Sequence, residues 1–325
     1  MSPGDSPVII TVTLNAALDR TLTVPNFQRG QRHRASGGGL TLPGGKGINV
    51  ARALKRLEVP VVATGLAGGL TGTRIVEELT AEAILNDFVR IGDESRTSTA
   101  VVDPTASSYT EINEWGPHVE PEELEILRDK LHYLANGAQT VVFSGSLPRG
   151  VEDDFYAEAI RDLNRRGVQT VLDSEGEPLR LGTGAEPFLV SPNQREAESL
   201  VGQEFHEEQD FVVGLDSVAE LGARNVLITQ ESGCFALFHE EREVKRFLCI
   251  APRVETLSSV GSGDVLLAGF LAARHAGKPI EEALRAAVAA GAASTLEVGA
   301  GRFDPREASR VTGGVEVVEL EPVAH

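Results

Sequence analysis

A single carboxylate stands at the mouth of an almost uncharged stretch in the segment Ser-Ser-Val-Gly-Ser-Gly-Asp, residues 258–264. Behind Asp264 come Val265, Leu266, Leu267, Ala268, Phe270, Leu271, Ala272 and Ala273, which leave no polar face. A helix apolar all round is buried, so its first N–H groups have no water and need another partner. The glycines ahead of it let backbone amides converge and let a ligand come close. Gly261, Ser262 and Gly263 can therefore form an anion hole at the positive end of a buried helix. Two readings of Asp264 stand side by side: a charge that complements the helix dipole, or a base beside the hole. The segment is not a dinucleotide fingerprint, because Leu266 occupies the place of the third glycine.

Three other segments carry chemistry of the same kind. In Pro-Gly-Gly-Lys-Gly-Ile-Asn (43–49), Lys46 sits between glycines at a helix start, which opposes the helix dipole unless an anion binds there. It is not a Walker A loop, since Leu40 and Gly47 stand where that loop has Gly and Ser or Thr. Asn49, about one turn further on, can hydrogen-bond a polyol or serve a local backbone group. In Phe-Ser-Gly-Ser-Leu-Pro (143–148), Ser144 and Ser146 follow an apolar run, where open α/β sheets bind ligands. Such serines also serve turns. In Ser-Pro-Asn-Gln-Arg-Glu (191–196), Asn193 and Glu196 have the spacing of a capping box, or of a pair that orders water around a metal–nucleotide complex.

The elements that must position these residues follow from the apolar pattern. Continuous apolar runs at 8–14, 61–67, 140–145, 168–173, 188–191 and 225–230 predict strands buried on both faces. Helix-like stretches at 45–57, 73–83, 121–135, 152–165, 194–201 and 209–221 lie between them. Alternation of the two predicts a mostly parallel sheet in a three-layer α/β/α core. Residues 20–41 and 97–113 break the rhythm with β-branched pieces and predict a small separate sheet, inserted at two places, that can act as a lid. Beyond 252 the chain reads as helical, with long helices at 261–276 and 279–297 parted by His-Ala-Gly-Lys-Pro.

Bulk properties exclude several classes. The 325 residues carry a net charge of −18, which disfavours nucleic acid as a partner. Residues 1–56 nonetheless hold eight Lys or Arg against two Asp or Glu, a local basic character that suits a small anion or an ordinary basic surface. No apolar run approaches the roughly 18 residues of a membrane helix, the first ten residues lack a basic signal region, and the two cysteines are not in a Cys-x-x-Cys spacing. The expectation is a cytoplasmic protein without a membrane partner. The seven histidines are scattered without ligand spacing, which disfavours a metalloenzyme.

Taken in order, Thr-Leu-Asn-Ala-Ala-Leu-Asp-Arg (13–20), Gly-Gly-Lys-Gly-Ile-Asn-Val-Ala, Ser-Gly-Ser-Leu-Pro, Ser-Pro-Asn-x-x-Glu and Gly-Ser-Gly-Asp resemble the PfkB, or ribokinase-like, carbohydrate kinases. The pattern is most similar to the 1-phosphofructokinase and tagatose-6-phosphate kinase branch and covers residues 8 to 318. The resemblance implies one ribokinase-like kinase domain over 1–325 and ATP-dependent phosphorylation of a sugar hydroxyl with Mg2+. Fructose 1-phosphate leads as substrate, followed by tagatose 6-phosphate and fructose 6-phosphate; a neutral-sugar kinase and a non-catalytic sugar-phosphate sensor are the lesser alternatives. It implies Asp264 as catalytic base beside the hole of Gly261, Ser262 and Gly263. Asp19, Gly45 and Asn49 would hold sugar hydroxyls, and Lys46, Arg96 and Ser144 would lie toward the substrate's own phosphate. Asn193 and Glu196 would serve the metal–nucleotide side, with Glu196 reaching Mg2+ through water. Thr229, Ser232, Gly233, Val288 and Ala292 would flank the nucleotide. Relatives pair through the lid, which implies a homodimer. The chain departs from the pattern at Ala16, Ser191, Ser258 and Ser262, and in Thr-Gln-Glu-Ser-Gly (229–233), which lacks a first glycine.

Overall fold

The computed structural model describes residues 7–106, 108–240 and 243–322. The chain opens with β1 (Val8–Thr13), β2 (Ala17–Thr23), β3 (Leu40–Gly44), α1 (Lys46–Arg56), β4 (Val61–Gly68), α2 (Gly69–Ala81) and β5 (Leu85–Ile91). It continues through β6 (Arg96–Asp103), β7 (Ser108–Asn113), α3 (Pro121–Ala135), β8 (Ala138–Ser144), α4 (Phe155–Arg165), β9 (Gln169–Asp173), α5 (Gly176–Thr183) and β10 (Leu189–Val190). Then come α6 (Gln194–Val201), α7 (Glu208–Glu220), β11 (Val226–Gln230), β12 (Gly233–Glu240), β13 (Glu243–Ile250), α8 (Ser262–His275), α9 (Ile280–Ser294), α10 (Pro305–Thr312) and β14 (Glu316–Leu320).

Every apolar run expected to be a strand pairs into one ten-stranded sheet, ordered β14-β13-β12-β11-β10-β9-β8-β1-β4-β5. From β11 to β5 all neighbours are parallel, and β12, β13 and β14 add on antiparallel. Along β8, Val141 and Phe143 enter one apolar core and Val142 the other, as the two-residue period of a strand requires. One core joins the sheet to α1, α2, α8, α9 and α10, and the other joins it to α3, α4, α5, α6 and α7. The free thiols of Cys234 and Cys249 face each other in register across β12 and β13.

The two interruptions form the second sheet, ordered β3-β2-β6-β7. Its strands reach a little beyond the expected limits, since β2 begins at Ala17 and β3 runs to Gly44. β5, the β12–β13 hairpin, β14, α5 and α10 were not legible in the pattern. β12 is a nearly continuous buried run that follows β11 after only two residues, Glu231 and Ser232. Strand β14 corrects the expectation that the chain stays helical beyond 252. It is a largely exposed strand paired with β13, so no buried run announces it.

Candidate active site

A cleft of about 1240 Å3 opens outside the carboxyl ends of β9, β10 and β11 and is bounded on its far side by the small sheet. Of the site residues that the resemblance implies, all line it except Ser144. Ser144 ends β8 fully buried, and its Oγ has no hydrogen-bond partner among the described residues. The strand-end rule places the residue correctly along the chain, but its hydroxyl is buried beside the cleft and does not line it.

Helix α8 presents its N-terminus to the cleft. Gly261 caps it at φ 75°, and a Cβ there would also lie 2.8 Å from Ala300 Cβ, so glycine is required on both counts. The Ser262 N–H already donates to Ser259 O at 3.2 Å, so one of the three amides expected in the hole has a protein partner. Asp264 follows in the first turn, 6% exposed, with Oδ2 accepting from Asn49 Nδ2 at 2.8 Å. Burial, with Asp173 adding to it, pushes the Asp264 carboxyl up to about 7 against the pull of Lys46 and the Asn49 hydrogen bond. A carboxyl poised there can exchange a proton near neutral pH.

Helix α1 brings Lys46 and Asn49 to the same place. Gly45 starts it at φ 108°, where a Cβ would lie 2.7 Å from Thr13 Cγ2. Lys46 Nζ bonds Asp173 Oδ1 at 2.7 Å and Glu196 Oε1 at 3.0 Å. The lysine therefore has an anion at the helix start, as its position demanded, and that anion is supplied by the protein. Burial pushes the Asp173 carboxyl up while Lys46 pulls it down; burial also pulls Lys46 down, but Asp173, Glu196 and Asp264 together outweigh it and hold the lysine well above its usual range. Asn193 and Glu196 do form the capping box: Asn193 Oδ1 accepts from the Glu196 N–H at 3.0 Å, and Glu196 Oε2 from the Asn193 N–H at 2.8 Å. The cap leaves Glu196 Oε1 free to reach Lys46, so the capping role and a role in the site are compatible.

The small sheet supplies the remaining charges. Asp19 on β2 is pushed up to about 6, mainly by burial and further by Glu111, against the pull of Arg96 and Arg52. Arg96, at the start of β6, donates from Nε to Asn15 O at 3.2 Å. Ser98, Glu111 and Asn113 also line the cleft and were not anticipated. They alternate along β6 and β7 on the face that carries Asp19, a signal the strand period could have revealed. Asp173, likewise missed, is the last residue of β9 and obeys the same strand-end rule that singled out Ser144. At the opposite wall, Thr229 lies near the end of β11, Ser232 and Gly233 turn into β12, and Val288 and Ala292 come from α9.

Among the described residues no group of three or more His, Cys, Asp or Glu side chains could hold a metal ion by itself. The donor set fits a hydrated Mg2+ that brings most of its ligands with it. Such an ion keeps several waters and takes one or two carboxylates together with substrate phosphates, and Glu196 beside Asp173 can serve that arrangement.

Comparison with known proteins decides the class. Residues 12–307 match the pfkB family carbohydrate kinases. The chain belongs to this family. It is 33% identical to the 1-phosphofructokinase of Borreliella burgdorferi over 89% of this chain and 92% of that protein. It is 29% identical to the tagatose-6-phosphate kinase of Staphylococcus epidermidis over 96% of this chain and 100% of that one. Phosphofructokinase-2 from Escherichia coli, solved with fructose-6-phosphate, superposes with a TM-score of 0.84 at 26% identity, covering 95% of this chain and 99% of that one. The large mostly parallel sheet with its separate small sheet is thus the ribokinase-like α/β architecture, and this PfkB protein is a sugar kinase. No helix among the described residues is long and apolar enough to cross a membrane.

Proposed function

We propose that this PfkB protein transfers the γ-phosphoryl group of ATP to a hydroxyl of a phosphorylated ketohexose, with fructose 1-phosphate the leading substrate and fructose 1,6-bisphosphate the product. The observation that carries this reading is the placement of Asp264, the N-terminus of α8 and Arg96 around one cleft. A guanidinium there suits a sugar that already bears a phosphate, for which it offers a two-pronged fit. The name of the B. burgdorferi relative favours fructose 1-phosphate. The E. coli structure with fructose-6-phosphate and the S. epidermidis relative favour a 6-phosphate as the second reading.

In this mechanism Asp264 accepts the proton of the attacking hydroxyl, with the Asn49 N–H aiming its carboxylate. The α8 amides meet the charge on the transferring phosphoryl group, where fixed donors act in a site closed to water. Asp19, Gly45 and the second N–H of Asn49 hold the sugar. Asn193, Thr229, Ser232, Gly233, Val288 and Ala292 flank the nucleotide. Glu196 would hold Mg2+ through water, and the metal would neutralise charge on the β- and γ-phosphates. The small sheet acts as the lid over one catalytic domain. Its edge strand β7, exposed throughout, is the surface through which two copies would pair. Two free thiols, Cys234 and Cys249, suit a reducing cytoplasm.

ADP release measured against fructose 1-phosphate, fructose 6-phosphate, tagatose 6-phosphate and free sugars tests the assignment. Turnover is expected with a phosphosugar, and activity confined to free sugars would overturn it. A thermal-shift series separates catalysis from sensing: a sensor gains stability with sugar phosphate alone, a kinase also with Mg-ATP. Arg96→Ala is expected to raise KM for the sugar phosphate about tenfold or more, the worth of a charge-assisted hydrogen bond, with KM for ATP nearly unchanged. An equal rise in both would make Arg96 structural.

A further inference from the structure

Arg52 lies on α1 one turn beyond Asn49, is 3% exposed, and does not line the cleft. All five of its N–H donors have acceptors. Nε donates to Glu82 Oε2 at 2.6 Å, and Nη2 to Glu82 Oε1 at 3.1 Å and to Pro43 O at 2.8 Å. Nη1 donates to Asn49 Oδ1 at 3.3 Å and to Ala300 O at 3.1 Å. A surface arginine would serve Glu82 alone. This one also grips the residue that touches Asp264, the wall behind Gly261, and the end of β3 that leads into Gly44, Gly45 and Lys46.

The consequence lies in the Asn49 amide, which has one acceptor end and one donor end. With Oδ1 taken by Arg52, Nδ2 must face Asp264. The reversed amide would set an oxygen against a carboxylate and an N–H against a guanidinium, two buried mismatches at once. We propose that Arg52 is a positioning residue of phosphoryl transfer, fixing the Asn49 amide so that its N–H aims the Asp264 carboxylate, and bracing Ala300 against Gly261. Arg52 acts through Asn49 and Ala300 without touching a ligand. The inference rests on the reading of Asp264 as the base. Other charged groups surround this network: Asp173 from β9, Glu196 from α6 and Lys46 from α1 around Asp264, and Asp19 from β2 near Arg52. None of them bonds the Asn49 side chain, so none replaces the fork.

Steady-state kinetics of Arg52→Met, Asn49→Ala and the double variant, with Asp264→Asn alongside, test it. Arg52→Met is expected to lower kcat by about 10–100-fold, the scale of a slight misplacement of a reacting group, with KM for ATP nearly unchanged and at most a smaller rise in KM for the sugar, which Asn49 also holds. The double variant should lose little more than Asn49→Ala alone, because the two side chains act as one unit. Should Arg52→Met not fold, Arg52→Lys carries the test: it keeps the charge beside Glu82, but one ammonium cannot span Glu82 and Asn49 together. Wild-type kcat in the folded Arg52 variant overturns the proposal, as do losses that multiply in the double variant or a kcat loss that merely follows the folded fraction. If Asp264→Asn itself keeps its kcat, the base assignment has failed and this inference with it. If Asp264→Asn is inactive and the Arg52 variants are not, the positioning role alone has failed.

Discussion

Asp264→Asn is expected to lower kcat by at least about 10²-fold with modest change in KM, because general-base catalysis typically contributes about 10²–10⁴-fold. The amide fills nearly the same space and can keep the hydrogen bond from Asn49, so binding survives while the proton acceptor is lost. The wild-type rate should fall as pH drops through about 7, since only the ionised Asp264 accepts a proton and its carboxyl is pushed up to about 7 by burial and by Asp173. A variant that keeps most of its kcat would remove Asp264 from the base role. The same substitution has an opposite consequence for stability. A carboxyl raised from 3.8 to about 7 on folding destabilises the folded state above the unfolded value, and the cost reaches its full size beyond about 7. The uncharged amide of the Asp264→Asn variant carries no such cost. The variant's melting temperature should therefore exceed the wild type's at pH 8, with the gap closing toward pH 4. A lower melting temperature at pH 8 would mean that Lys46 and Asn49 more than offset the burial of Asp264.

The sequence made Asp264 legible because chemistry and context coincide there: glycines, one carboxylate and a helix with no polar face. The same rule of strand ends succeeded and failed on neighbouring strands. It located Asn193 after β10, passed over Asp173 at the end of β9, and chose Ser144, whose hydroxyl turns inward from β8. Ser144 and Asp173 pair in register at the ends of neighbouring strands, so strand position alone does not tell which of them meets the cleft; the packing around each decides it. The lid was visible as broken rhythm; Glu111 and Asn113 share a face through their two-residue spacing, but β7 is exposed on both faces and nothing in its own sequence marks which face meets the cleft. Arg52 carried a faint signal, a charge within a run of buried α1 positions. Its partners come from Glu82, Pro43 and Ala300, which only the folded chain brings together.

Lys46→Met is expected to destabilise the protein by about 3 kcal/mol at pH 8, at the low end for breaking a buried ion pair. The side chain is 34% exposed, against 7% for Asp173 and 12% for Glu196, so solvent screens part of the interaction and argues against a larger figure. Without the ammonium, Asp173, Glu196 and Asp264 are left around one site with no cation bonded among them. Lys46 pulls both Asp173 and Asp264 down toward their ionised forms, so its removal pushes both carboxyls further up. The folded variant then binds protons more tightly than the unfolded chain, and its stability must fall as pH rises. The loss measured by urea unfolding should accordingly be largest at pH 8 and shrink toward pH 5, where protonation relieves the cluster. Lys46 contributes nothing to that slope by its own titration: its folded value lies above the ordinary lysine value of 10.5, so it stays charged across the whole window. An unfolding midpoint at pH 8 equal to that of the wild type would show that the carboxylates need no fixed cation. The position between two glycines at a helix start would then have to be explained by a phosphate on the substrate alone.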